Sequence, residues 1–263
     1  MSGLTLSLGT RQRRRRRFVP TQDSALKGWL RLAASDKSGG EWTPSIVDVL
    51  NPGNPVTQVD TDRRCAVGSS ANGLPTMVFD GTDVHVWPFS PTINNMTTKL
   101  GFWFWWKPVN VAGSARILYL AIGTGAATGF HKLDISTNGD DLLVDVYITN
   151  VNGRRATYAN VLTAGAWQGL YIQYDSSRGG DANLNTYRDK VLLTPAWSSF
   201  GAGGTLGLLQ SPGGNMLLGA VSNTDTPAAA QEEGSEFGPN MFVFGDNLTA
   251  QQIANYYDFE RPT

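Results

Sequence analysis

Acid–base catalysis needs carboxylates or imidazoles placed so that two of them reach one bond. The chain has five glutamates, Glu41, Glu232, Glu233, Glu236 and Glu260. Hydrolysis of a glycosidic bond requires two carboxyl groups flanking it, one acting as acid and the other as nucleophile or base. None of the five reads as part of a strand with an acidic partner two residues on. Glu232, Glu233 and Glu236 fall in a Gly/Pro/Ala-rich stretch that reads as a solvated loop. An aspartate pair supplied by two separate strands is left open as a source of enzymatic activity. The histidines, His85 and His131, have no nucleophilic Ser or Cys motif around them and read as strand or surface residues. No phosphate-cradling glycine loop precedes a helix. Cys65 is the lone cysteine, so no internal disulfide or four-thiolate zinc site can form, and it is expected to be a small core filler.

Three further constellations could bind rather than react. Calcium takes six to eight oxygen ligands. Asp175, Asp181 and Asn183 are the candidate ligands in one loop; Asn138, Asp140 and Asp141 form a second loop of similar chemistry. A sugar ring stacks on an aromatic platform beside polar groups, and Trp87, Trp103, Trp105 and Tyr147 are the candidate platforms. The competing expectation for each is burial in the core, or cover by a loop or neighbouring subunit. Arg11, Arg13, Arg14, Arg15, Arg16 and Arg17 form a dense basic block. It suits docking on an acidic protein surface or neutralising nucleic-acid phosphates. No aromatic residue interleaves it, which argues against base stacking.

The formal charge of −1 over 263 residues hides that block. Without its six arginines, fifteen basic residues face twenty-two acidic ones, a balance of −7. A basic arm joined to an acidic body is implied, with the boundary expected at 23/24. The arm has no apolar face to bury and reads as extended. Phe18-Val19-Pro20 follows the arginines with no apolar segment, so the N-terminus does not read as a secretion signal. Release by lysis or packaging in a particle makes such a signal unnecessary. No apolar run is long enough to span a membrane.

The elements that must position these residues are mostly strands. Phe102-Trp103-Phe104-Trp105-Trp106 places aromatic rings on both faces of one strand. One face fits between two sheets, and the other needs cover from a loop, a partner or a ligand. Trp29, Leu30 and Leu32 open the body. Met77–Gly81 reads as a short strand ending in an Asp-Gly turn, followed by Val84–Trp87. Arg116–Ile122 is apolar, and Leu133 and Ile135 lead into the Asn138-Gly139 turn. Leu142, Val144, Val146 and Ile148 alternate with Leu143, Asp145, Tyr147 and Thr149, as in a half-buried strand. After the turn at Asn152-Gly153, Trp167–Tyr174 reads as a strand, Thr186–Leu192 as a tight hairpin around Arg188-Asp189-Lys190, and Met216–Ala220 and Met241–Phe244 as two more strands. Thr249 and Gln252 form a capping box for one short C-terminal helix, with Ile253 and Tyr257 on one face. Ten or more strands with regular turns imply an all-β antiparallel sandwich or barrel.

The order of these pieces resembles the laminin-G-like, concanavalin A-like lectin/glucanase jelly-roll superfamily. The resemblance rests on Gly28–Asp36, on Leu74-Pro75 with Phe79-Asp80-Gly81-Thr82-Asp83, and on Leu100–Pro108. Trp167 with Tyr171–Asp175, Tyr187–Leu192, and Phe244–Ile253 complete it. It spans residues 27–259 and leaves out the arm. It implies an antiparallel β-sandwich at 24–263, the calcium just considered, and glycan or protein binding. The glucanase Glu/Asp/Glu strand motif is missing, so no enzyme is expected. Related modules occur in tail and capsid proteins of bacteriophages. The combined expectation is a virion structural protein, assembled in the host cytoplasm. Its arm, residues 1–23, docks on other virion proteins, and a lectin-like domain decorates the particle or attaches to a host glycan. Homo-oligomerisation is expected, because the Trp-rich face needs cover. The alternatives are a carbohydrate-active enzyme of this fold and a capsid protein whose arm contacts the genome.

Overall fold

The consecutive aromatic residues lie in one nine-residue strand, Lys99–Lys107, and their alternation divides two hydrophobic cores. The computed structural model describes residues 18–33, 37–38, 40–43, 45–88, 91–111, 114–122, 130–148, 152–209, 215–219 and 234–263. In chain order the first strands are β1 (Leu26–Arg31), β2 (Lys37–Ser38), β3 (Glu41–Trp42), β4 (Ser45–Ile46), β5 (Val56–Thr57), β6 (Ala66–Ser69), β7 (Pro75–Val78) and β8 (His85–Pro88). A one-turn helix α1 (Pro91–Asn94) precedes β9 (Lys99–Lys107), β10 (Ser114–Ile122), β11 (Phe130–Asn138), β12 (Asp141–Tyr147), β13 (Gly153–Tyr158) and β14 (Gln168–Asp175). The chain closes with β15 (Leu184–Arg188), β16 (Val191–Leu192), β17 (Ala196–Phe200), β18 (Asn215–Leu218), β19 (Glu236–Phe244) and the helix α2 (Ala250–Asp258).

The strands form two antiparallel sheets. One runs β16-β15-β14-β9-β19-β7-β6-β3-β2, with β1 added beside β19; the other runs β17-β13-β12-β11-β10-β18-β8-β5-β4. The protein is an all-β antiparallel sandwich, as expected, and its strand arrangement is consistent with a jelly roll. Leu100, Phe102, Phe104 and Trp106 of β9 point into the space between the sheets, with Leu170 and Ile172 of β14 and Ile135 and Val144 of the facing sheet. Trp103 and Trp105 point the other way, into a second core with Trp29, Tyr171, Phe242 and Phe244.

That second core is covered by the chain itself. Ile253, Tyr256 and Tyr257 of α2 lie on it, and Phe18 and Phe259 pack at its side. The capping box of Thr249 and Gln252 is present. The cover removes the reason for expecting copies to associate through the Trp-rich face. The arm boundary also moves. Phe18 packs edge-on against Tyr256 at 4.8 Å, and Asp23 accepts hydrogen bonds from Tyr256 Oη at 3.2 Å and Gln252 Nε2 at 3.0 Å. Residues 18–23 therefore belong to the body.

Other expectations need correction. Asp80-Gly81 does not close a hairpin: β7 and β8 lie in different sheets, so this turn arches across the sandwich. Asp80 Oδ1 accepts the Thr82 N–H and Asp83 Oδ2 the Asp80 N–H, a closed local network that shapes the arch. Strand β12 is buried on both faces, because Leu143 and Asp145 are covered as well as Leu142, Val144 and Val146. Glu236 is no loop residue: it opens β19, bonded to Lys107 Nζ at 2.6 Å and Thr76 Oγ1 at 2.8 Å. The hairpins at Asn138-Gly139 and at Asp189-Lys190 form as read, the latter with φ of 49° and 73° at its two corner residues.

Candidate functional site

Strand register assembles a polar row that no local motif announces. Asp134 of β11, Asp145 of β12, Arg155 of β13 and Ser198 of β17 are consecutive cross-strand partners on the outer face of the second sheet. Asp145 is buried and accepts two hydrogen bonds from Arg155, from Nε and from Nη2, both 2.7 Å. The fork geometry fixes the guanidinium plane. The Arg155 side chain remains 42% exposed, so its other N–H donors face outward above a buried carboxylate. Asp134 is fully buried beside Asp145.

Two residues along the strands, about 7 Å away, the next row carries Tyr147, Gly153 and Phe200. The Tyr147 and Phe200 rings meet edge to face at 4.9 Å. A side chain at 153 would overlap the Phe200 ring, so glycine there makes the aromatic pair possible. The face thus offers an outward arginine beside a partly exposed aromatic pair. Those groups can hydrogen-bond hydroxyls and stack on a flat apolar ring face.

The sequence-derived candidates fall in different places. Tyr147 lies on this face. Trp87 is buried in the core, and its indole N–H is drawn inward to Asp48 Oδ2 at 3.2 Å. Trp103 and Trp105 lie beneath α2, with Tyr257 5.0 Å from the Trp105 ring. These three tryptophans are therefore not surface platforms. Asp175, Asp181 and Asn183 are each engaged by other protein groups. Asp175 accepts from Ser177 and from Asn247 Nδ2, Asp181 is forked by Arg154, and the Asn183 amide donates to Tyr174 and Leu206. Burial raises the Asp175 pKa, but the Ser177 and Asn247 hydrogen bonds outweigh it and hold the carboxyl at about 2. Among the described residues no three His, Cys, Asp or Glu side chains converge to hold a metal. Arg11 and Arg13–Arg17, like Glu232 and Glu233, lie outside the described residues.

Cys65 and His85 are buried together in the core, where the Cys65 N–H donates to His85 Nε2 at 3.2 Å. Burial pushes the thiol pKa well up, aided by Asp83 and Asp80, and this suits a filler and not a nucleophile. Sequence reasoning missed the Asp134–Asp145–Arg155 row. Alternation in β12 did place Asp145 and Tyr147 on one face, but Arg155 joins them only through the β12–β13 register.

No family model matches the chain, nor does any curated protein. Among solved structures it is similar to the botulinum neurotoxin serotype G binding domain, with a TM-score of 0.58 and 14% identity over 88% of this chain and 50% of that one. It is also similar to Trypanosoma rangeli sialidase in complex with sialic acid, with a TM-score of 0.57 and 13% identity over 89% of this chain and 33% of that one. A binding domain of botulinum neurotoxin DC, solved in complex with rat synaptotagmin II, matches at 0.57 and 11% identity over 89% and 51%. The chain thus spans about half or less of these proteins, and the likeness is one of fold.

Proposed function

We propose that this protein is a non-enzymatic, glycan-binding β-sandwich carried on a bacteriophage particle. The observation that carries the binding reading is the outer face of β12, β13 and β17. There the outward Arg155, fixed by Asp145, stands beside the Tyr147–Phe200 pair. A neurotoxin binding domain and a sialidase among the structural neighbours support a binding role for such a sandwich. The virion placement rests on the arginine arm attached to an acidic body, an arrangement suited to docking on another virion protein.

Full-length protein on a broad panel of bacterial surface glycans is the test. Binding should be weakened tenfold or more by Arg155→Ala or Tyr147→Ala, a loss of about 1.4 kcal/mol, with unchanged thermal melting. Absence of binding across the panel overturns the glycan reading. Particles that incorporate a chain beginning at Phe18 as well as the full chain overturn the anchoring role of the arm.

A second reading, hydrolysis, is favoured by one observation: Asp134 and Asp145 oppose each other directly across β11 and β12. Asp145 is held in a double hydrogen bond by Arg155, which suits binding better than proton transfer. Glycan turnover abolished by Asp134→Asn would establish the hydrolytic reading in its place.

A further inference from the structure

A free sheet edge presents unpaired N–H and C=O groups and is a template for another strand, so folded proteins shorten, charge or cover their edges. Most edges here are treated this way. Strands β2, β4 and β16 have two residues each. The open side of β1 is met by the 48–49 segment, where Leu30 bridges Asp48 and Val49 N donates to Trp29 O at 2.8 Å. Strand β17 is different. It has five residues, Ala196-Trp197-Ser198-Ser199-Phe200, with no charge and no proline. Its one strand partner among the described residues is β13, and Ala196, Ser198 and Ser199 are exposed. Nor is this edge loosely held. Arg154 donates to Ser199 Oγ at 2.7 Å, is forked onto Asp181 and lies 5.6 Å over the Trp197 ring.

We propose that β17 is a dimer interface, pairing antiparallel with β17 of a second copy about a two-fold axis normal to the sheet. The strand is complementary to itself. Full overlap sets Ser198 opposite Ser198, Trp197 opposite Ser199 and Phe200 opposite Ala196. Each bulky ring then faces a small residue, and no like charges oppose. Such an isologous contact closes at two copies and consumes the edge. The second sheet becomes continuous through both copies, and a two-fold normal to it leaves both outer faces on the same side. The two Arg155 side chains then stand three strand spacings apart, about 14 Å. If that face binds glycans as proposed above, the dimer is bivalent toward a surface; the pairing itself does not depend on that reading.

The test uses the full chain and reads association without any glycan. Sedimentation should give the mass of two chains at micromolar concentration. Ser198→Lys sets two lysines opposite each other and should weaken the dimer about fivefold or more. Ser198→Cys should cross-link into a covalent dimer under mild oxidation, because directly opposed residues fall within disulfide reach. The native Cys65 is buried and gives no background. Val59→Cys, 81% exposed in a distant loop, should stay uncross-linked. A monomer, or a dimer that neither cross-links through position 198 nor responds to Ser198→Lys, overturns the proposal. The first outcome leaves β17 to a foreign strand, and the second places the interface elsewhere.

Discussion

Removing a carboxylate from water costs several kcal/mol unless its lone pairs are filled. Asp48 fills them with five donors: the N–H groups of Trp29, Leu50 and Asn51, the Asn51 amide and the Trp87 indole. That one side chain ties β1 to the loop after β4 and fixes the direction of a tryptophan. Asp48→Ala should cost roughly 3 kcal/mol or more, since it orphans several buried donors at once, and chemical denaturation checks this. Asp83 and His85, two residues apart, act in opposite senses with pH. Burial raises the Asp83 pKa to about 7, so its contribution is full below about 4 and is lost as pH rises to 7. Burial lowers the His85 pKa to about 4, with Arg64 adding to the effect, so its contribution is present above about 6.5 and is lost as pH falls to 4. Asp83→Asn should therefore flatten the loss of stability between pH 4 and 7, and His85→Gln the loss between 6.5 and 4. Melting temperatures across that range decide; unchanged profiles would show that neither group titrates between folded and unfolded states as described.

At the scale of elements, α2 matters as a lid. It is nine residues long, too short to persist alone in water, and is held by its cap and by Ile253, Tyr256 and Tyr257 against the outer tryptophans. Thr249 Oγ1 accepts the Gln252 N–H at 3.2 Å, while Gln252 Oε1 accepts the Thr249 N–H at 2.9 Å. Thr249→Ala should cost about 1 kcal/mol and shift tryptophan emission to the red as the helix frays from Trp103 and Trp105. A loss of stability with no spectral change would separate the cap from the lid. Glycines support the same packing on the strand side. A methyl group on Gly169 would sit 3.1 Å from the Trp103 ring, so β14 leaves room there for the indoles.

At the scale of the molecule, the boundary between arm and body governs how the arm can be tested. A chain beginning at Phe18 keeps the packing of Phe18 on Tyr256 and the Asp23 hydrogen bonds, and should melt within a few degrees of the full chain. A chain beginning at Ser24 loses both contacts and should melt several degrees lower. Equal melting of the two would return residues 18–23 to the arm. Since the Phe18 chain has a balance of −7, any affinity of the full chain for nucleic acid should disappear with residues 1–17, and should fall steeply with salt beforehand.

Periodicity and turn chemistry depend on neighbours along the chain, and what they control was readable directly. The two-faced aromatic strand, the Asn138-Gly139 and Asp189-Lys190 hairpins, the Thr249–Gln252 cap and the all-β class follow from alternation, positive-φ corners and a capping box. What covers a face depends on residues far apart in sequence, and only the tertiary structure decided it. Alternation showed that the face of Trp103 and Trp105 needs cover from a loop, a partner or a ligand, and only the fold showed that α2 supplies it. Asp80-Gly81 looked like any hairpin turn until β7 and β8 fell in different sheets. The candidate face needed the pairing of β11, β12, β13 and β17 to bring Asp134, Asp145, Arg155 and Phe200 together. Strand register is set by the packing of the whole sheet and is invisible in any one strand.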